Sequence, residues 1–338
     1  MPNLPKTIAA IVLALCSVQA AGAAEIVKDF GPAEFLPRDF GAVACGFQDD
    51  FSSYTQTTDP SAATAELSAN GWLWVSTGNS ASPCTITSVN SRSVLHVGAP
   101  GGSATDNNHL LYVPNSSMNA TYDGDSNYNY TTGAQEVLMH VRVTRMTSSN
   151  IAGAYTEQVH AGMALRVDAG TSKGVDLVFE RQLSSSNLRF FQVGNGNSYS
   201  LDSSHTYRLK DPALSPSDPY VRWSQPGNSF STPSPWYWLR LEYDADAELI
   251  RARAWPSGTV EPSDIWHFEG TVASFNQSAG WAGLTASCDN TTAFDVDYFL
   301  VKSQGLPKIV VGVGDYIPEP VTIVLLTLGG LVMLRRRR

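Results

Sequence analysis

From Phe47 onward, apolar side chains fall on alternate positions in short runs, and turn residues separate the runs. Val137, Met139, Val141 and Val143 alternate with Leu138, His140 and Arg142. Met163, Leu165 and Val167 alternate with Ala164, Arg166 and Asp168, and Val175, Leu177 and Phe179 with Asp176, Val178 and Glu180. Leu188 to Val193 reads as a further short strand, closed by Gly194 to Asn197. Tyr237, Leu239, Leu241 and Tyr243 face away from Trp236, Trp238, Arg240 and Glu242, and Ile250, Ala252 and Ala254 face away from Arg251, Arg253 and Trp255. The last strand puts Phe294, Val296, Tyr298 and Leu300 opposite Asp295, Asp297 and Phe299. A period of two is that of antiparallel strands with one face on a core and the other wetter. No body run of ten or more residues keeps a 3.6-residue period. The best helical candidate, Ala62 to Leu67, is one or two turns. Short strands between turns predict an all-β sandwich or barrel.

The two ends depart from this pattern. Met1 to Ala23 has Lys6, an apolar run from Ile8 to Leu15 and small residues around Ala21-Gly22-Ala23, with Val18-Gln19-Ala20 as the alternative cleavage site. That is the form of a secretory signal. Cys16 follows Leu15, where a lipoprotein signal needs a small residue. Residues 24–46 form a lead-in with Gly31, Pro32 and Pro37. At the other end, residues 304–316 are a spacer, and Pro318-Glu319-Pro320 precedes an apolar run from Val321 to Leu334. Arg335, Arg336, Arg337 and Arg338 close the chain. As a helix the run covers about 21 Å at ~1.5 Å per residue, short of the ~30 Å hydrocarbon core. It spans by recruiting Tyr316 and Ile317 and letting the arginines snorkel, with the arginine end cytoplasmic. Residues 317–338 resemble the PEP-CTERM sorting signal. The resemblance implies export through the Sec machinery of a Gram-negative-type bacterium and a transient transmembrane helix in the inner membrane. It also implies an exosortase-type membrane protease that removes the tail before the protein reaches the outer surface or extracellular matrix.

Charge narrows the partners. Only 16% of residues are charged, and the net charge is −9. Without Lys6, Glu319 and the four terminal arginines, the exported body is more acidic still. Such a surface disfavours nucleic acid and anionic lipid, and favours divalent cations or neutral ligands. Cys45, Cys84 and Cys288 remain after signal removal, so one disulfide and one leftover thiol are expected, with the pairing open.

Several pieces of residues 47–303 together resemble the concanavalin A-like jelly roll, of laminin-G and legume-lectin type. They are Asp49-Asp50-Phe51 with Gly71-Trp72, then Ala161 to Arg166, then Trp236 to Tyr243 with Ile250 to Pro256. Gly280 to Leu284 and Phe294 to Phe299 close the series. The resemblance implies two antiparallel sheets with first and last strands side by side. Residues 197–235, rich in Ser, Pro and Asp, read as a loop insertion that decorates this domain.

Candidate chemistry is sparse. Glu242 to Glu248 is an acidic cluster, but the glutamate pair of retaining glycosidases on this fold would need Glu at 246 or 247, where Asp246 and Ala247 stand. A hairpin turn between strands 236–243 and 248–255 is the better reading. Asp123, Asp125, Asn127 and Asn129 alternate oxygen-bearing side chains as calcium loops do, although Tyr128 and Ala134 exclude an EF-hand. His140, Arg142, Arg166, Trp238, Arg240, Arg251, Arg253 and Trp255 stand opposite core-like positions. They could line a glycan-binding sheet with a tryptophan stacked on sugar, or form a solvated outer face. No catalytic residue is identified. The function expected is non-catalytic binding of carbohydrate or another surface polymer; the alternatives are a glycan-cleaving enzyme of the same fold and a purely structural adhesion module.

Overall fold

The computed structural model describes residues 26–29, 47–76, 82–98, 108–113, 135–146, 161–171, 173–181, 189–195, 206–224, 232–244, 246–262, 265–271, 275, 280–286, 292–303 and 309–312. The signal segment, the tail from 317 to 338, the 123–129 loop, Cys45 and Cys288 lie outside these residues. Among the described residues no helix is long and apolar enough to cross a membrane.

The chain is an all-β sandwich of two antiparallel sheets, consistent with a jelly roll. In order, the elements are β1 (Ile26–Asp29), β2 (Phe47–Asp49), α1 (Pro60–Ala69), β3 (Trp72–Ser76), β4 (Cys84–Val89), β5 (Arg92–Val97) and β6 (Asn108–Tyr112). Then come β7 (Gln135–Met146), β8 (Ala161–Asp168), β9 (Lys173–Arg181), β10 (Arg189–Asn195), β11 (Thr206–Arg208) and β12 (Tyr237–Asp244). The last are β13 (Leu249–Pro256), β14 (Phe268–Thr271), β15 (Trp281–Ala286), β16 (Thr292–Ser303) and β17 (Ile309–Gly312). One sheet runs β11-β10-β9-β8-β15-β6-β3 and has seven strands. The other has eight, running β14-β13-β12-β7-β16-β5-β4 with β2 also on β16. First and last strands of the domain therefore lie side by side, with Phe47 opposite Val301. Outside the sandwich, β1 of the lead-in pairs in parallel with β17 of the spacer.

Alternation places most of the core correctly: Val137, Met139 and Val141, then Leu239 and Leu241, then Ala252 and Ala254 all point between the sheets. Two β-bulges overturn it locally, because an extra residue on one strand reverses every side chain beyond it. On β16 the register slips between Val296 and Tyr298. Phe299 and Val301 enter the core, while Tyr298 and Leu300 fall on the opposite face. On β8 it slips after Leu165, where Arg166 takes a left-handed φ of 54°. The Arg166 guanidinium turns inward and lies 3.9 Å from the Tyr243 ring of the facing sheet. Its backbone N–H donates to Gln135 Oε1. Val167 turns outward instead and packs with Leu111 and Ala164.

Other departures have local causes. α1 is longer than the apolar pattern suggests, because Asp59 caps the Ser61 N–H and Pro60 opens the first turn. The insertion at 197–235 is more than decoration, since Leu209 and Trp223 sit in the core and the Trp223 indole donates to the Glu180 carbonyl. Cys84 is a free, buried thiol, which burial pushes up to about 12.

Where β2 meets β3, Trp72 packs against Phe47, Phe51, Tyr112 and Phe299. The Asp49 carboxylate accepts from Tyr54 Oη at 2.6 Å, Trp72 Nε1 at 2.9 Å and the Phe51 N–H at 2.8 Å. Removal from water outweighs these bonds and pushes the Asp49 carboxyl up to about 6, from 3.8. A raised carboxyl contributes stability below the unfolded value and loses it as pH rises through the folded one. Relative to Asp49→Asn, the wild-type chain should therefore lose stability between pH 3.8 and about 6. Urea midpoints of the two proteins across that range check this; parallel profiles would show that Asp49 is not the group responsible.

Candidate functional site

Strand register gathers the expected ligand-binding residues, all but Arg166, on the outward face of the eight-stranded sheet. Trp238 pairs with His140 on one side and Trp255 on the other, and Arg240 stands between Leu138 and Arg253. His140 stacks on Trp238 at 4.3 Å and on Trp236 at 4.8 Å, and its Nδ1 lies 2.6 Å from Asp297 on the β16 bulge. Above this row, Asp295 holds Arg142 and His96. Below it, Arg251 joins Glu242, Asp244 and Glu269.

This face is neither an open groove nor a solvated one. Trp238 is 0% exposed, Arg240 and Arg253 1%, His140 2% and Trp255 3%. The connection from β13 to β14 folds over it as a strap. Glu261 on that strap accepts from Arg240 Nε at 2.7 Å and Arg240 Nη2 at 3.0 Å. It also pairs with Arg253 Nη2 at 2.5 Å, while Arg253 Nη1 donates to the Pro262 carbonyl at 2.9 Å. Glu136 pairs with Arg240 from β7. Trp266 lies 4.3 Å from the Arg253 guanidinium, and His267 Nδ1 accepts from the Ala254 N–H. Burial lowers Arg253 to about 10 and holds His267 below the ordinary imidazole value. Only Arg142 and Arg251, each 20% exposed, reach water from this set.

The acidic cluster at 242–248 is a turn, as its spacing suggests. Asp244 accepts from the N–H groups of Ala247 and Asp246, which lower its carboxyl together with Arg251. Among the described residues no group of three or more His, Cys, Asp or Glu could hold a metal ion. The calcium candidates Asp123, Asp125, Asn127 and Asn129 lie outside them.

The seven-stranded sheet carries on its outward face a polar cluster that no spacing announced. Asp176 on β9 accepts from Thr285 Oγ1 of β15 at 3.0 Å and meets His109 Nε2 of β6 at 3.4 Å. Gly162, Ala164 and Gly283 lie between them and raise no large side chain. A Cβ on Gly162 would run into the Leu177 carbonyl, and one on Gly283 into that of Leu110, so the strands approach too closely there for any other residue. His109 and Thr285 both bind the acid rather than each other. Among the described residues no nucleophile–base contact results, and these bonds clamp four strands together.

Toward the free edge of the same sheet this face opens to solvent. Arg208 on β11 makes two parallel bonds to Glu180, and its guanidinium lies 4.2 Å from the Phe190 ring. Residues 220–222 run alongside, with Lys210 opposite Tyr220 and Phe190 opposite Arg222. Lys210 Nζ is 5.8 Å from the Tyr220 ring, and Arg222 is 5.4 Å from Phe190. Rings and cations thus alternate along a strand edge that is partly open to water. The reading of 197–235 as a decorating loop passed over them.

No family model matches the chain, and no curated protein matches it in sequence. Solved structures do align with it. A bifunctional GH43-CE protein of Bacteroides eggerthii is 13% identical with a TM-score of 0.37, over 76% of this chain and 26% of that one. This chain therefore spans about a quarter of that protein. An alginate lyase in complex with alginate trisaccharide is 10% identical with a TM-score of 0.37, over 77% and 99%. Basic winged bean lectin with Tn-antigen is 11% identical with a TM-score of 0.36, over 77% and 98%.

Removing one member of a buried ionic set strands its partners, at a cost of about 3–5 kcal/mol. Glu261→Ala is expected to lower the unfolding free energy by that amount and to expose the Trp255 side of the sheet. Urea titration followed by tryptophan fluorescence reads both. A loss below about 1 kcal/mol, the level of a surface pair, would mean that Glu261 does not lock the strap.

Proposed function

We propose that this chain is an exported, non-catalytic surface or extracellular-matrix protein whose concanavalin A-like jelly roll binds carbohydrate or another surface polymer. The observation that carries the reading is the open edge of the seven-stranded sheet. There the partly exposed Tyr220 ring stands beside Lys210 and Arg222 on backbone held by isolated β-bridges outside the named strands. An aromatic ring flanked by hydrogen-bond donors on bridged backbone is a combination that suits sugar, which has a flat C–H face and a hydroxyl rim. Among the described residues, the acids of the eight-stranded face are held in ion pairs: Glu242 and Asp244 with Arg251, Glu261 with Arg240 and Arg253.

Export and sorting belong to the same proposal and rest on the ends of the sequence. Met1 to Ala23 directs the chain to the Sec machinery, and Pro318-Glu319-Pro320 with Arg335 to Arg338 presents it to an exosortase-type protease at the inner membrane. The body is then released to the outer surface of a Gram-negative-type cell. The full-length chain is expected to bind at least one polysaccharide of a neutral and acidic panel without releasing reducing ends; release would replace this reading with a glycan-cleaving enzyme, and silence on the whole panel with a structural module. Intact mass of the exported product should end near Pro320, and detection of Arg338 in it would refute the sorting step.

A further inference from the structure

Arg222 and Asp218 form an ion pair 2.7 Å long, four residues apart, with side chains 41% and 50% exposed. Such a pair is worth about 1 kcal/mol at most, so another carboxylate can take the place of Asp218 at little cost. Arg208 is held differently. Glu180, itself 5% exposed, fixes it through two bonds, which leaves it as a stationary positive flank. Lys210 is exposed, and among the described residues no carboxylate pairs with it. Backbone pairing sets the geometry. Tyr220 and Arg222 are two residues apart and share one side of their segment, roughly 7 Å from each other, with Lys210 directly across from Tyr220. The exposed cations therefore flank an aromatic ring on a chain whose net charge is −9, with Glu180, Asp218 and Asp211 as the carboxylates beside them.

Resting on the carbohydrate-binding reading, we infer that the polymer taken at this edge is a polyuronate. Its carboxylates exchange with Asp218 on Arg222 and reach Lys210, while a sugar ring lies on Tyr220. Carboxylate fits guanidinium through two parallel bonds, and this site already accommodates two carboxylates, those of Glu180 and Asp218. The acidic body opposes the denser, longer-range attraction that a nucleic acid needs.

The experiment measures affinity of the full-length chain for polygalacturonate, dextran sulfate, dextran and oligothymidylate. Polygalacturonate is expected to bind best and to weaken as salt shortens the screening length. Lys210→Ala with Arg222→Ala should weaken it about tenfold or more, as loss of charge-assisted bonds does. Asp218→Asn, which removes the internal competitor, should tighten it severalfold, an effect that damage to the fold does not produce. Preference for dextran sulfate or oligothymidylate over polygalacturonate overturns the inference. So does an Asp218→Asn affinity equal to that of the wild type. Equal binding of dextran, indifferent to Lys210 and Arg222, would sink the polyuronate assignment and leave the carbohydrate-binding function standing. Binding to none of the three glycans would sink that function as well.

Discussion

Two guanidiniums inside a protein need an anion between them, because each charge taken out of water costs several kcal/mol that only close partners return. On the eight-stranded sheet that anion is Glu261, set between Arg240 and Arg253. Its position on the strap rather than on the sheet has wide consequences. The strap must stay down to keep the charges paired, so Trp238, Trp255 and His140 become interior. A face that alternation marks as the wetter one is thereby turned into a second core, ionic and aromatic where the first is aliphatic. Under the carbohydrate-binding proposal, contact with a ligand passes to the other sheet.

Much of the sandwich is legible in the sequence because strand alternation has a rigid period and nothing else in the body imitates it. The hairpin joining β12 and β13, and the adjacency of β2 and β16, follow from pattern and from the family resemblance. Errors gather at two bulges. A run of alternate positions contains no mark of an inserted residue, so Arg166 and Val167 exchange faces unseen, as do Tyr298 and Phe299. Both bulges have physical work to do in this fold. One delivers Arg166 to Tyr243 on the facing sheet, and the other frees Asp297 to reach His140.

The candidate site was less legible, for a reason of topology. His109 and Asp176 are 67 residues apart and Asp176 and Thr285 109 apart, and only the order β9-β8-β15-β6 brings them within reach. Neither spacing nor residue type distinguishes them beforehand from solvated polar groups. The outer edge was hidden in another way. Its prolines and serines read as loop, yet Leu209, Val221 and Phe191 share backbone bonds there, with Leu209 N–H to the Phe191 carbonyl at 2.9 Å. Backbone pairing of this kind needs no apolar alternation on both faces, so it leaves a faint trace in composition.

A binding surface also has to release what it holds. Ion pairs that are buried and shared, such as Arg240 with Glu261 and Glu136, resist exchange, since withdrawing one partner costs about 3–5 kcal/mol before any ligand arrives. Pairs in water, such as Arg222 with Asp218, sit within about 1 kcal/mol of zero and give way to a competing anion. The two outward faces of this sandwich divide along that line. One spends its charges on holding the strap, and the other keeps Lys210 and Arg222 where a change of partner is cheap. Arg208, anchored by buried Glu180 yet 30% exposed, stands between the two regimes and supplies a fixed charge beside exchangeable ones. Under the polyuronate proposal, that arrangement offers an acidic polymer exchangeable cations on a chain whose net charge of −9 would otherwise repel it.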